Sequence, residues 1–262
     1  MAAVEAALAA ARAAGRPILV SYVMGGIRDD WADLLAAMID AGADAVEIGL
    51  PFSDPMLDGP IIQQASAAAI DHGATLSGIL AQLAARTVSD VPLVAMTYAN
   101  HVYRRGVDNY CRELADAGIS GAIVPDLPVG EADEYLEAAA KAGLDATLMV
   151  TPATPDEQIG RIADRSRGFL YVMSVMATTG PARGRDQASA WAVADAARRY
   201  SPRPVLIGFG IDTPDRAVAA AGHADGVVVA STLMRQVLDG ATVGDISRAV
   251  ADLRAGLDQA WR

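Results

Sequence analysis

From residue 17 onward the chain alternates between short β-branched runs and longer alanine-rich stretches, and this alternation constrains the fold most strongly. Each short run is almost continuously apolar, which is typical of parallel strands covered on both faces. Eight such runs favour an α/β fold closed as a (β/α)8 TIM barrel. The predicted strands are Ile18–Val23, Ala45–Leu50, Leu93–Tyr98, Gly121–Val124, Ala146–Val150, Phe169–Met173, Val205–Gly208 and Gly226–Ala230.

Helices are predicted between the strands, with one N-terminal helix and one extra helix, Ile61–Asp71, after strand 2. The others are Trp31–Ala41, Ser77–Arg86, Asp108–Ala117, Glu131–Ala142, Pro155–Arg165, Ala188–Tyr200, Pro214–Ala221 and Val243–Leu257, with a short helix after strand 8. Four glycines predict left-handed ends of helices: Gly42, Gly118, Gly143 and Gly222. Because barrels of this type have about 250 residues and no linker is visible, we expect residues 1–262 to form a single domain.

Charge and the scarcity of metal-binding side chains exclude several classes of protein. The formal net charge of −11 at pH 7 repels nucleic acid and anionic lipid. One cysteine, Cys111, and three scattered histidines predict neither an intramolecular disulfide nor a metal site. The apolar runs are too short to cross a membrane, and the first residues lack the pattern of a secretory signal. We therefore expect a cytoplasmic protein that holds any anionic substrate locally, with backbone N–H groups or a few basic side chains.

Glu47 interrupts the apolar run of the second predicted strand. The alternation of side chains along a strand points it into the barrel together with Ala45 and Gly49. A carboxylate buried without a partner is costly, and a raised pKa relieves that cost. Such a group suits general acid–base chemistry near neutral pH. An ion pair with an arginine or lysine is the alternative interpretation.

A stiff loop follows this strand and carries a further carboxylate, Asp58. The segment Pro51–Pro60 contains three prolines, one glycine and two aspartates, a composition that holds side chains in place. In (β/α)8 barrels the active site is built from the loops after the strands, so both carboxylates are candidates for one site. Asp58 taken alone is equally consistent with an N-cap of the following helix.

The run from Glu47 to Pro60, Glu-Ile-Gly-Leu-Pro-Phe-Ser-Asp-Pro-Met-Leu-Asp-Gly-Pro, resembles the signature of the tryptophan synthase alpha subunit family. Similar segments follow in order at Tyr98–Asn100, Val124–Pro128, Tyr171–Ser174, Thr179-Gly180 and Gly208–Ile211. The resemblance implies a lyase of tryptophan biosynthesis that needs no cofactor. Its reaction is the retro-aldol cleavage of indole-3-glycerol phosphate to indole and glyceraldehyde 3-phosphate.

The same resemblance implies roles for individual residues. Glu47 is expected to act as general acid and base, and Asp58 to polarise the indole N–H. Tyr171 is expected to be a further catalytic residue, although an aromatic residue that only fills the barrel interior is equally consistent with its position. The residues expected to line the indole pocket are Tyr22, Met96 and Ile123.

Two further groups of residues are expected to bind phosphate and a partner. The glycines after strand 7 and the serine-led helix after strand 8 lie where many barrels bind phosphate. With the loop after strand 6, the expected phosphate residues are Thr179, Gly180, Gly208, Phe209, Gly210, Ala230 and Ser231. The resemblance also implies docking on a pyridoxal-phosphate beta subunit in an alpha2-beta2 type assembly. Loop residues expected at that interface are Ser53, Asp54, Pro55 and Asn100.

The sequence departs from the family at the rim of the pocket. Val23–Arg28 lacks the usual Asp-Pro or Tyr-Pro, Ala177 replaces a hinge glycine, Pro181 follows Gly180, and Ala230 replaces a glycine near the phosphate. These changes predict an altered rim and a stiffer lid. Four interpretations stay open: a subunit bound to beta, a stand-alone lyase that releases indole, a non-catalytic homologue that activates a partner, and a barrel acting on another phosphorylated substrate.

Overall fold

The computed structural model describes residues 4–86, 89–173, 185–208 and 210–260, with the backbone alone at 185–189. Eight parallel strands pair in chain order, and β8 pairs with β1 to close the barrel. The (β/α)8 fold expected from the alternation is confirmed. The strands are β1 Ile18–Met24, β2 Ala45–Gly49, β3 Leu93–Met96, β4 Gly121–Ile123, β5 Asp145–Val150, β6 Leu170–Val172, β7 Val205–Ile207 and β8 Gly226–Val229.

The helices surround the barrel, and most begin and end within three residues of the predicted positions. They are α1 Val4–Ala13, α2 Trp31–Asp40, α3 Pro60–Asp71, α4 Leu76–Ala84, α5 Ala99–Arg105, α6 Val107–Asp116, α7 Asp133–Ala142, α8 Asp156–Arg165, α9 Arg185–Tyr200, α10 Pro214–Ala221, α11 Ser231–Leu238 and α12 Val243–Ala260. The strand predicted to reach Tyr98 ends at Met96, and α5 was not predicted because its seven residues are too few to show helical periodicity. Asn100 therefore lies on a helix and not in a loop.

Three of the four predicted helix-ending glycines have the left-handed conformation. Gly42, Gly118 and Gly143 have φ of +100°, +84° and +76°. The prediction for Gly222 is wrong, because its φ is −63° and its N–H still bonds to carbonyls of the last turn of α10. The chain there enters a short turn that any residue could adopt.

The N-terminal end of the barrel is closed by packing and ion pairs. Helix α1 places Val4 and Leu8 against the interior residue Phe169, and all three are fully buried. Asp44 accepts the backbone N–H of Leu19 and pairs with Arg254, which is 8% exposed. Such charges at the N-terminal end of a barrel stabilise the fold, whereas chemistry is expected at the opposite end. None of the described helices has the length and apolarity needed to cross a membrane.

The register of the strands determines which side chains share the barrel interior. Glu47 on β2 is aligned with Tyr22 on β1, and Met96 on β3 with Ile123 on β4. Tyr171 on β6 packs in the same interior cluster as Ile123. The inward direction predicted for Glu47 follows from this register, and the C-terminal ends of the strands place these residues below the loops.

Candidate active site

Glu47 is a buried carboxyl group without a polar partner on one oxygen. Its residue is 1% exposed, and its Oε2 atom makes no hydrogen bond within the described part of the chain. Burial, and next the negative charge of Asp58, raise the pKa of Glu47 to about 8. No described arginine or lysine pairs with it, so the ion-pair interpretation is wrong for the residues described here. At neutral pH this carboxyl group holds a proton that it can donate.

Asp58 lies at the end of the loop after β2 and is not the cap of the next helix. The N-cap of α3 is Gly59, whose backbone is extended, so the N-cap interpretation of Asp58 is wrong. Burial raises the pKa of Asp58 to about 6, while a hydrogen bond from Tyr98 opposes this rise. The Tyr98 hydroxyl donates to Oδ2 of Asp58 at 3.2 Å. Asp58 is therefore largely ionised at neutral pH, in contrast to Glu47.

Tyr98 is a site residue to which the sequence gave no role, although it begins the Tyr98–Asn100 segment of the family resemblance. Its hydroxyl accepts the backbone N–H of Leu57 at 3.0 Å while it donates to Asp58, so it holds the end of the loop in two places. Its ring stacks on Phe52 at 5.1 Å between ring centroids. Its position two residues after the end of β3, where barrel sites form, is a further signal that could have identified it.

Two tyrosines enter the barrel interior over inward-facing glycines. The hydroxyl oxygen of Tyr22 lies 1.9 Å from where a side chain on Gly49 would place its Cβ. The ring of Tyr171 lies 2.0 Å from the corresponding position on Gly208. Both tyrosines are almost fully buried, and burial raises the pKa of each phenol well above its usual value. Gly208, predicted as a phosphate residue, thus has a second requirement, which is space for Tyr171.

The three residues expected in the indole pocket lie at different depths. Tyr22 is 2% exposed and shares a small gap with Asp58 and Met96. Met96 is half-buried, but its register partner Ile123 is fully buried in the interior cluster that includes Tyr171. The structure therefore brings Tyr22 and Met96 to Asp58, whereas Ile123 does not line the gap beside it.

The residues expected to bind phosphate meet only in part within the described structure. Gly210 has a φ of +67° in the loop after β7, and Ala230 is the N-cap of α11, which begins at Ser231. The Thr232 hydroxyl donates to the carbonyl of Ile211 and so joins the loops after β7 and β8. The first N–H groups of a helix have no intrahelical acceptor, so they are available to an anion. Thr179, Gly180 and Phe209, with the lid changes at Ala177 and Pro181, lie outside the described residues.

The residues expected at a partner interface lie on the outer rim. Ser53 and Asp54 are exposed, and the Ser53 hydroxyl donates a hydrogen bond to the Asp54 carboxylate. Pro55 is half-buried. Asn100 is exposed in the first turn of α5, and Met56 is 68% exposed. Within the described chain, no group of three or more histidine, cysteine or acidic residues has the arrangement of a metal site.

Known proteins resemble this chain along almost its whole length. The family model described as tryptophan synthase alpha chain matches residues 8–256. The alpha chain of Acidothermus cellulolyticus is 40% identical over 98% of this chain and 97% of its own length. That of a Synechococcus strain is 40% identical over 89% of this chain and 87% of its own.

Solved structures agree with the sequence comparisons. Tryptophan synthase subunit alpha from Legionella pneumophila has a TM-score of 0.89 at 27% identity and covers 99% of both chains. A chain of Mycobacterium tuberculosis tryptophan synthase has a TM-score of 0.88 at 33% identity over 98% of this chain and 99% of its own. The chain belongs to the tryptophan synthase alpha chain family.

Proposed function

We propose that this chain cleaves indole-3-glycerol phosphate to indole and glyceraldehyde 3-phosphate, with Glu47 as general acid and base and Asp58 as the acceptor of the indole N–H. The observation that carries the proposal is geometric: Glu47 is buried with no hydrogen bond to its Oε2 atom in the described chain, and Asp58, which acts electrostatically on Glu47, accepts a hydrogen bond from Tyr98. The pKa of Glu47 is raised to about 8 and that of Asp58 to about 6, so at neutral pH one donates a proton and the other accepts one.

The proton transfers balance with these two groups alone. Glu47 donates its proton to C3 of indole while Asp58 takes the N–H proton, which forms the indolenine tautomer. The ionised Glu47 then removes the proton of the hydroxyl on C3′, the carbon bonded to the ring. The C3–C3′ bond breaks, its electron pair restores the aromatic ring, and Asp58 returns a proton to nitrogen. Both carboxyl groups end in their starting states.

The remaining site residues orient the substrate in this proposal. Tyr171 and Tyr22 form walls beside the reacting carbon, and Tyr98 holds Asp58 in its ionised, hydrogen-bonded position. The phosphate group binds beside Gly208, at Gly210 and at the start of α11, where backbone N–H groups take the place of cationic side chains; the N–H of Gly208 itself bonds to the carbonyl of Val172. The changed residues Ala177, Pro181 and Ala230 then alter lid closure and phosphate affinity more than bond cleavage.

An indole-release assay on indole-3-glycerol phosphate tests the proposal. The Glu47→Gln variant keeps the shape of the site but cannot transfer a proton, so we expect turnover to fall by about 10²–10⁴-fold. Calorimetry should still detect substrate binding to this variant. Asp58→Ala should lose both binding and turnover. An exposed Glu137→Gln on α7 is the matched control. Full activity of Glu47→Gln would reject the proposed mechanism, and an inactive wild type would favour the non-catalytic homologue.

We also propose that the rim of this site docks on a beta subunit. The support is the loop Ser53–Met56, exposed except at the half-buried Pro55, beside α5, which carries the exposed Asn100 and the 48% exposed Tyr103. These side chains lie at the C-terminal end of the barrel, next to the point where indole would leave. Co-elution with a beta subunit and a change in indole release tests docking. If the two proteins do not co-elute, indole release does not change, and this chain is fully active by itself, it is a stand-alone lyase.

A further inference from the structure

A cavity of about 370 Å³ lies beside the candidate active site and reaches toward the outside of the barrel. Its inner wall includes Leu57, the neighbour of Asp58, and the half-buried methionines Met96 and Met149. From there it runs between the loop after β4 and the loop after β5. Val129 and Gln158 lie at its outer end. Met96 lines both this cavity and the small gap beside Tyr22 and Asp58, so the cavity adjoins the proposed indole pocket.

The cavity is larger than indole requires. An apolar cavity of about 150 Å³ holds benzene, and indole has nine ring atoms against six, so it needs about 220 Å³ by the same proportion. With the whole ring system inside, about 150 Å³ of the 370 Å³ stays free for further atoms. The methionine side chains of the inner wall are flexible, so they adapt to different ring shapes.

The lining of the cavity selects for uncharged groups. None of the described side chains that line it is charged, and the polar ones, Thr151, Thr154 and Gln158, lie toward the outside. Thr154 already accepts the backbone N–H of Thr151 at 2.9 Å. A carboxylate placed there would lose its hydration without gaining a cation, which is costly. A methyl, halogen or methoxy substituent would instead bury apolar surface.

The orientation of the substrate directs its benzene ring into this cavity. In the proposed function the phosphate lies after β7 and β8, while the indole N–H faces Asp58 in the loop after β2. The edge of the ring remote from the glycerol chain then points toward β3, β4 and β5, where Met96, Val124 and Met149 line the cavity. Positions 5 and 6 of indole lie on that edge.

We propose that this enzyme also accepts indole-3-glycerol phosphates that carry an uncharged substituent at position 5 or 6, held in the cavity between the loops after β4 and β5. This inference rests on the proposed function, because it uses the orientation of the same substrate. Val129 is a specificity-determining residue in this assignment, since a larger side chain there fills the outer end.

The test compares kcat/KM for the parent substrate, its 6-methoxy derivative and its 6-carboxy derivative. We expect the methoxy substrate to react within about tenfold of the parent, and the carboxy substrate at least about 100-fold more slowly. Val129→Phe should lower the methoxy-to-parent ratio by about tenfold or more. The matched control, Val243→Phe at the half-buried start of α12, should leave that ratio unchanged.

Failure of the inference and failure of the proposed function have different signatures. If the parent is cleaved but the methoxy substrate reacts more than about 100-fold more slowly, the cavity proposal is overturned and the proposed function stands. An unchanged ratio in Val129→Phe overturns it as well. If no substrate is cleaved, calorimetry with indole and 6-methoxyindole tests whether the cavity holds the substituent. Equal or tighter binding of 6-methoxyindole, lost in Val129→Phe, supports the cavity, and weaker binding rejects it.

Discussion

Replacing Glu47 by glutamine should make the stability of this protein less dependent on pH. The pKa of Glu47 is raised from its usual 4.5 to about 8, so between these values the folded chain holds a proton that the unfolded chain releases. Stability therefore falls as pH rises through this window, by about 1.4 kcal/mol per pH unit. From pH 5 to pH 8 the loss is about 4 kcal/mol. Because the residue is 1% exposed, solvent provides little screening.

Urea unfolding of wild type and Glu47→Gln at pH 5, 6, 7, 8 and 9, followed by circular dichroism, measures this effect. The free energy of unfolding of the variant minus that of wild type should rise by about 4 kcal/mol between pH 5 and pH 8 and then level off. Other titrating groups occur in both proteins and largely cancel in the difference. The exposed control Glu137→Gln should give a flat difference. A difference for Glu47→Gln that stays constant within about 1 kcal/mol would refute the reasoning, because the native carboxyl group would then be ionised like an exposed one.

Three further predictions concern the pH profile, the loop and the barrel interior. The kcat/KM for indole release should peak at about pH 7. It should fall at low pH because Asp58 gains a proton near pH 6, and at high pH because Glu47 loses one near pH 8. A profile that is flat from pH 5 to pH 9 would contradict this. Tyr98→Phe removes the hydrogen bond that lowers the pKa of Asp58. The acidic limb of the profile should therefore move to higher pH, and kcat/KM at pH 7 should fall about fivefold. An acidic limb that does not move would show that Tyr98 does not act on Asp58. Gly49→Ala places a Cβ 1.9 Å from the hydroxyl of Tyr22, so the free energy of unfolding in urea titrations should fall by about 1–3 kcal/mol. The control Gly130→Ala, which has open space around it, should change this free energy little.

The non-catalytic interpretation conflicts with the retained carboxyl groups and their environment. A chain that had lost turnover would have no reason to keep on β2 a buried carboxyl group whose Oε2 atom has no hydrogen bond in the described structure, since replacing it with an uncharged residue would remove its destabilising effect at neutral pH. The departures at the lid and at Ala230 leave Glu47, Asp58 and Tyr98 unchanged. These three retained residues, at the ends of β2 and β3, therefore favour an active lyase.

The sequence alone determined the order of the strands, the position of the carboxyl groups and the inward direction of Glu47. These follow from periodicity along one strand and from local loop composition, which do not depend on distant contacts. The family signature likewise needed no structure, because it is a run of neighbouring residues.

Only the tertiary structure decided whether Glu47 has a partner, what holds Asp58, and how large the indole pocket is. The Tyr98 hydroxyl and Asp58 are 40 residues apart in sequence, and they meet because β2 and β3 are neighbours in a closed barrel. Among the described residues no cation lies beside Glu47, and this depends on every side chain that enters the interior; the cavity depends on the gap between two loops. Strand periodicity specifies the face on which a residue lies, but the register of the barrel and the side-chain rotamers specify what it touches.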